Sequence, residues 1–347
     1  MLECRIHGAN DLHLVEAPVP EPGPGEVLLR LGAAGICGSD MHYFFHGRVG
    51  NFVIREPLVP GHEASATVAA VGAGVTRVAP GDRVAVNPSR PCGRCPACRE
   101  GRENLCANMR FLGSASVFPH MQGMFREYFT MPQEQCVPVA ADVSLAELAM
   151  SEPLSVALHS VNRAGPLLGR SVLITGSGTI GCMMVLAARL AGAARIAITD
   201  VVDHPLGVAR TVGADLAVRT DRLPADGRLS DVVGEPDVAF EVSGAPSALA
   251  ACIETVRRGG IVVQVGTLPA EGMHLLANQI MARELDLRGS FRFGNVFELA
   301  VQAIAGRRVD VRPVLSGVHP LTDAVRALNL ARDKTVSMKV QLGPVAA

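Results

Sequence analysis

Between Ser171 and Asp200 the chain contains a unit that few folds can accommodate. An apolar run, Ser171-Val-Leu-Ile-Thr175, leads into a glycine turn, Gly176-Ser-Gly178-Thr-Ile-Gly181, then an Ala- and Leu-rich stretch to Ala193 and a second apolar run, Arg195-Ile-Ala-Ile-Thr199. Strand, helix and strand in that order predict a parallel sheet. The later runs Val238-Ala-Phe240, Ile261-Val-Val-Gln-Val265 and Leu285 to Phe291 repeat the pattern, so helices cover both faces. The first glycine of the turn permits the bend and the second lets a pyrophosphate approach the backbone. The third packs helix on sheet, with the helix N-terminus toward the phosphates. A GxGxxG turn is also compatible with a purely structural role. Asp200, at the end of the next strand, favours a dinucleotide, because a carboxylate there accepts both ribose hydroxyls and repels a 2′-phosphate. NAD is therefore expected over NADP.

The chain before this unit has another character. From Arg5 to about Val139 it is dense in Gly and Pro, with short runs at Glu26 to Leu31, Ala64 to Val71 and Asp82 to Val86. Short strands between turn residues predict a β-rich, barrel-like domain. A length of 347 residues exceeds one compact core of ordinary size, so two domains with a cleft between them are expected. After Asn295 a helical stretch and the run Ser337 to Leu342 return to the first domain.

Charge and composition remove several function classes. Lys+Arg 32 against Asp+Glu 33 leave a net charge of −1, with no electrostatic footprint for nucleic acid or anionic lipid. No stretch reaches the ~18 uninterrupted apolar residues of a membrane span, and the N-terminus lacks an export pattern. A cytoplasmic protein is expected, in which the nine cysteines serve as metal ligands or free thiols. Only Lys334 and Lys339 are lysines, so a phosphate-gripping Gly-Lys loop is excluded and a Schiff-base lysine is confined to two positions. Neither Tyr43 nor Tyr128 has a lysine four residues on, so a dehydrogenase built on this chain polarises its substrate without a Tyr/Lys pair.

Two groups of residues carry metal chemistry. Cys92, Cys95 and Cys98 wrap one tight turn and Cys106 closes a tetrahedron of thiolates, the closed coordination of a structural zinc. An iron–sulfur cluster and metal-free surface cysteines are the competing readings. Cys37, His62 and Glu152 offer the thiolate, imidazole and carboxylate that leave a zinc three-coordinate and open. Taken singly, each is equally compatible with a buried small hydrophobe, a satisfied core histidine and a helix start.

Cys37-Gly-Ser39-Asp40, Gly61-His62-Glu63, the four-cysteine lobe, Glu152-Pro153 and the glycine turn occur in an order that resembles the zinc-dependent medium-chain alcohol dehydrogenases, over nearly the whole chain. His42-Tyr43, His46-Gly-Arg-Val-Gly-Asn-Phe52 and Gly61-His-Glu-Ala-Ser65 resemble the polyol branch, typified by sorbitol and xylitol dehydrogenases. Asn87-Pro-Ser-Arg-Pro-Cys92, Met109-Arg-Phe-Leu-Gly-Ser114, Phe118-Pro-His120 and Arg288-Gly-Ser-Phe-Arg-Phe293 resemble members of that branch that act on a sugar acid.

The resemblance implies an α/β protein. A β-rich GroES-like catalytic domain would span 1–150, a Rossmann doubly wound parallel-sheet domain 151–292, and a return to the catalytic domain 293–347. It implies a catalytic zinc on Cys37, His62 and Glu152, with Glu63 beside it, ligating directly or through water. Ser39 matches a proton-relaying hydroxyl and Asp40 a partner that orients His62. Gly176, Gly178, Thr179, Ile180, Gly181, Asp200, Val265, Gly266 and Arg292 match cofactor positions. The implied substrate is a sugar acid or polyol, met by Tyr43 and, for a carboxylate, by Arg110, His120 or Arg126. The implied assembly is a homotetramer. Two positions depart from the pattern: Ala66 replaces a glycine, and His204-Pro205 replace an arginine near the adenine.

Overall fold

The side-chain alternation of one strand organises the first half of the molecule. In the computed structural model, which describes residues 1–140, 142–224, 226–269 and 272–344, strand Glu26–Gly35 buries Val27, Leu29 and Leu31 and turns Leu28 and Arg30 outward. The alternation ends at Ala33, and Ala33, Ala34 and Gly35 are all buried. There the strand runs into the interior on both faces. It pairs antiparallel with Glu63–Val71 on one side and with Lys339–Gly343 on the other, and Tyr128–Pro132 also pairs with it. Cys136–Pro138, Arg83–Val86 and Leu315–Pro320 complete the seven-stranded sheet. Its core gathers Leu29, Leu31, Phe44, Met124, Phe125 and Phe129 with Leu328 and Val340 from the C-terminal segment.

The second sheet has six strands, all parallel, in the spatial order Leu216–Arg219, Arg195–Asp200, Ser171–Thr175, Val238–Glu241, Ile261–Gln264, Asp286–Gly289. The order reverses between Ser171–Thr175 and Val238–Glu241, and a parallel sheet opens a ligand crevice beyond the carboxyl ends of its strands at such a point. Gly178 is the N-cap of helix Thr179–Leu190, which starts in that crevice.

Helix Ser151–Ala164 packs against Thr179–Leu190 and against Phe297–Ala305, and all three place apolar residues in the core of the second sheet. The segment expected to return to the first domain from 293 therefore begins with a helix of the second core. The chain rejoins the first sheet at Leu315–Pro320.

Candidate active site

Strand register assembles the first group. Gly35 pairs with Glu63 on one neighbour and with Gln341 on the other, so the central strand carries the chain to Cys37 between Glu63 and Lys339. A Cβ on Gly35 would lie 2.0 Å from a Glu63 carboxylate oxygen, so this position accepts no side chain. Cys37 is the N-cap of helix Gly38–His46, with Ser39 half-buried in its first turn. Asp40, fully buried, takes the N–H of Cys37 on Oδ2 and that of Gly61 on Oδ1, both at 2.9 Å. One carboxylate thus ties the cysteine loop to the His62-Glu63 loop.

The ligand atoms of Cys37, His62 and Glu63 lie within 4.8 Å of one another. Glu152, expected as the third ligand, stands in the first turn of helix Ser151–Ala164, buried and within the electrostatic field of His62 and Glu63, but outside that group of three. The buried Nδ1 of His62 stands 3.7 Å from Asp40 and has no hydrogen-bond partner. Burial disfavours charge on His62, yet Asp40 and Cys37 outweigh it and raise its pKa well above the ordinary imidazole value. Burial pushes Glu152 up to about 7 against the pull of His62, with Glu63 and Asp40 acting in the same direction as burial. Asp40, Glu63, Glu152 and Cys37 converge on a space in which His62 and Lys339 bring the compensating positive charge. A buried surplus of acidic groups calls for a further positive charge.

Lys339 was not among the expected site residues. It is buried, and its ammonium donates to both Glu63 oxygens at 2.6 and 2.8 Å and to the Ile36 carbonyl at 3.0 Å. Burial lowers its pKa, but Glu63 and Cys37 more than offset that, so it is held protonated and is no Schiff-base nucleophile. The available signal was composition: one of the chain's two lysines lies against Glu63 of the candidate metal group.

The four cysteines of the lobe also meet. The sulfurs of Cys92, Cys95, Cys98 and Cys106 lie within 4.8 Å of one another, around helix Pro96–Arg99. The N–H groups of Arg94 and Cys95 lower Cys92 to about 6, into the thiolate form a metal needs.

In the second sheet, Gly176 has φ +93°, and a Cβ on Gly181 would lie 2.0 Å from the Gly176 carbonyl, so the turn is closed to side chains. Asp200 accepts N–H bonds from Ser177 at 2.7 Å, Val201 at 2.7 Å and Val202 at 3.1 Å. These fix its carboxylate at the lip of the crevice. Thr179 and Ile180 open the helix, and the N–H groups of Val265 and Gly266 bond the Glu241 carbonyl. Arg292, at φ +53°, lies over the rings of Phe111 and Phe291 at 4.6 and 4.9 Å, and its charge is felt by Tyr43 and Glu152.

The expected substrate residues divide. Tyr43 is buried, its hydroxyl accepting the Ala115 N–H at 2.9 Å. Both ring nitrogens of His120 are engaged: Nδ1 donates to the Val117 carbonyl at 2.8 Å and Nε2 accepts the Arg55 N–H at 2.9 Å. His120 therefore locks its own loop. Arg110 is exposed, with Nε donating to the Met121 sulfur at 3.0 Å, and Arg126 forms an isolated β-bridge with Glu3. Among the described residues no helix is long and apolar enough to cross a membrane.

Residues 23–141 match the family model of the alcohol dehydrogenase GroES-like domain, and residues 179–306 that of zinc-binding dehydrogenase. Over 339 residues the chain is 40% identical to L-idonate 5-dehydrogenase (NAD(P)(+)) of Escherichia coli K12, covering 98% of this chain and 97% of that protein. It is 37% identical to the sorbitol dehydrogenase of Homo sapiens over 345 residues, 98% of this chain and 95% of that one. The crystal structure of the E. coli L-idonate 5-dehydrogenase superposes with a TM-score of 0.92 at 39% identity, covering 99% and 97% of the two chains. The 2R,3R-butanediol dehydrogenase of Bacillus subtilis superposes with a TM-score of 0.88 at 26% identity, covering 99% of each.

Proposed function

The chain belongs to the zinc-dependent medium-chain alcohol dehydrogenases and to their polyol branch, and from that membership we propose that it oxidises a secondary alcohol of a sugar acid, L-idonate to 5-keto-D-gluconate, with NAD as hydride acceptor. A sorbitol- or xylitol-type polyol on the same site is the alternative, supported by the likeness to sorbitol dehydrogenases. The observation that carries the reading is the convergence of Cys37, His62 and Glu63.

The donor set suits zinc: one thiolate, one imidazole and one carboxylate, in a pocket with surplus acidic groups. Cys37, His62 and Glu63 would hold the ion, with the buried Glu152 of helix Ser151–Ala164 coupled to them electrostatically. Bound zinc supplies Lewis acidity, which takes water from a pKa of ~15.7 to ~7, on the order of 12 kcal/mol. Asp40 positions His62 through the Gly61 backbone and holds the Cys37 loop beside it. The half-buried Ser39 hydroxyl passes the substrate's proton outward. Cys92, Cys95, Cys98 and Cys106 hold a second, structural zinc. Gly176, Gly178, Thr179, Ile180, Gly181, Val265 and Gly266 receive the dinucleotide, and Asp200 selects NAD by its charge. Arg292, expected from the sequence at a cofactor position, is assigned here with Tyr43 to the substrate, because its charge is coupled to both Tyr43 and Glu152. The assembly is a cytoplasmic homotetramer, as the resemblance implies, and sedimentation tests its size.

Initial rates with L-idonate, sorbitol, xylitol and L-threonine, each with NAD and NADP, test the reading. The highest kcat/KM is expected for L-idonate with NAD. A preference for sorbitol or xylitol establishes the alternative, and zero turnover of all four refutes both.

A further inference from the structure

Glu241 ends strand Val238–Glu241 at the ligand-binding edge of the second sheet and is completely buried. One carboxylate oxygen accepts the Ser243 N–H at 2.7 Å, the Ser243 hydroxyl at 2.6 Å and the Gly244 N–H at 2.8 Å. The other accepts the Gln264 side-chain amide at 2.6 Å, and the same amide nitrogen bonds the Gly266 carbonyl at 2.6 Å. All these partners are neutral donors on the two loops that follow adjacent strands. The glycines between those loops are in contact as well: a Cβ on Gly266 would lie 2.3 Å from the Gly244 nitrogen, and one on Gly244 2.5 Å from the Thr267 carbonyl.

A buried carboxylate is stabilised here only by hydrogen bonds, and it makes them to loops rather than to a cation. We propose that Glu241 is a positioning residue that locks the loop 242–245 to the loop 264–267 and so presets Val265 and Gly266 for the dinucleotide. The inference rests on the NAD-binding reading above. Asp237, at the opposite end of the same strand, provides the internal comparison. It ties Ser171, through N–H and hydroxyl bonds of 2.8 and 2.9 Å, and Arg257 at 2.8 Å, on the side of the sheet away from the crevice.

The test is NADH affinity, read from the fluorescence of NADH itself, since the chain has no tryptophan. Glu241→Ala is expected to raise the NADH dissociation constant by about tenfold or more and to raise KM for NAD without a matching rise in KM for the alcohol. Glu241→Gln keeps the bonds from Ser243 and Gly244. Its amide meets the Gln264 donor unless Gln264 turns its unpartnered Oε1 inward and gives up Gly266, so a smaller loss is expected. Asp237→Asn lowers the melting temperature and leaves NADH affinity within about twofold. If Glu241→Ala does not fold, Glu241→Gln decides, through faster hydrogen exchange at 243–245 and 264–267. Wild-type NADH affinity with wild-type exchange in Glu241→Gln overturns the inference, as does an equal loss of affinity in Asp237→Asn. Wild-type protein that binds no NADH overturns the proposed function and this inference with it.

Discussion

Glu63 is 1% exposed, and Lys339 is the cation that faces it. Removing one member of a buried ion pair leaves the other charge without compensation, which costs about 3–5 kcal/mol. Lys339→Met is therefore expected to lower the melting temperature, and to lower it more in metal-depleted protein than in zinc-loaded protein, where the ion supplies the missing charge to Glu63. Equal drops with and without zinc would mean that Glu63 is no ligand. The proposed contact between Arg292 and a substrate carboxylate is tested at the same scale. Arg292→Leu is expected to raise KM for L-idonate about tenfold, the worth of a charge-assisted hydrogen bond, with sorbitol nearly unaffected. Equal rises for both, or a larger selective rise in Arg110→Ala, would move the carboxylate contact elsewhere. Cys37, His62 and both glutamates were legible in the sequence as chemistry-bearing residues. That Glu63 rather than Glu152 groups with Cys37 and His62 was not, because strand register brings it there, and neither was the Lys339–Glu63 pair, whose members are 276 residues apart.

Elements were readable where burial leaves a pattern. The apolar runs at Ser171, Arg195, Val238 and Ile261 became central strands of the parallel sheet, buried on both faces. Leu216–Arg219 and Leu315–Pro320 gave no such signal. Both are sheet-edge strands, one four residues long and mostly half-buried, the other broken by Gly317 and ending in Pro320. The ends of the central strands are held by acids, and Asp237 allows a pH test. Burial alone would raise its pKa, but Arg257 and the Ser171 donors lower it to about 2 from an ordinary 3.8. Because the folded state holds the carboxylate ionised, the stability gained is fully present above about pH 4 and is lost as pH falls toward 2. The pair is partly exposed and screened by solvent, so its size is on the order of 1 kcal/mol. Urea denaturation across that range is expected to show a shallower loss in Asp237→Asn than in wild type, and identical pH slopes would contradict the assignment.

At the scale of the molecule, the site forms where two cores meet. Cys37, His62 and Glu63 belong to the first sheet, and Glu152 arrives on a helix whose apolar face lies in the second core. Length and the change of patterning near Ser171 anticipated two halves with a cleft. They did not anticipate that Phe297–Ala305 packs in the second core before the chain returns, since a helical apolar stripe does not say which core it covers. The two candidate metal groups share no residue, which makes them separable by substitution. The measurement that bears most directly on this account is zinc per chain, with NADH binding measured on the same samples, for wild type and Cys37→Ser. Two candidate groups give an expected value of two zinc ions in wild type and one in Cys37→Ser, with alcohol oxidation abolished and NADH affinity retained. Two ions in the variant, or alcohol oxidation surviving the loss of one, would contradict it.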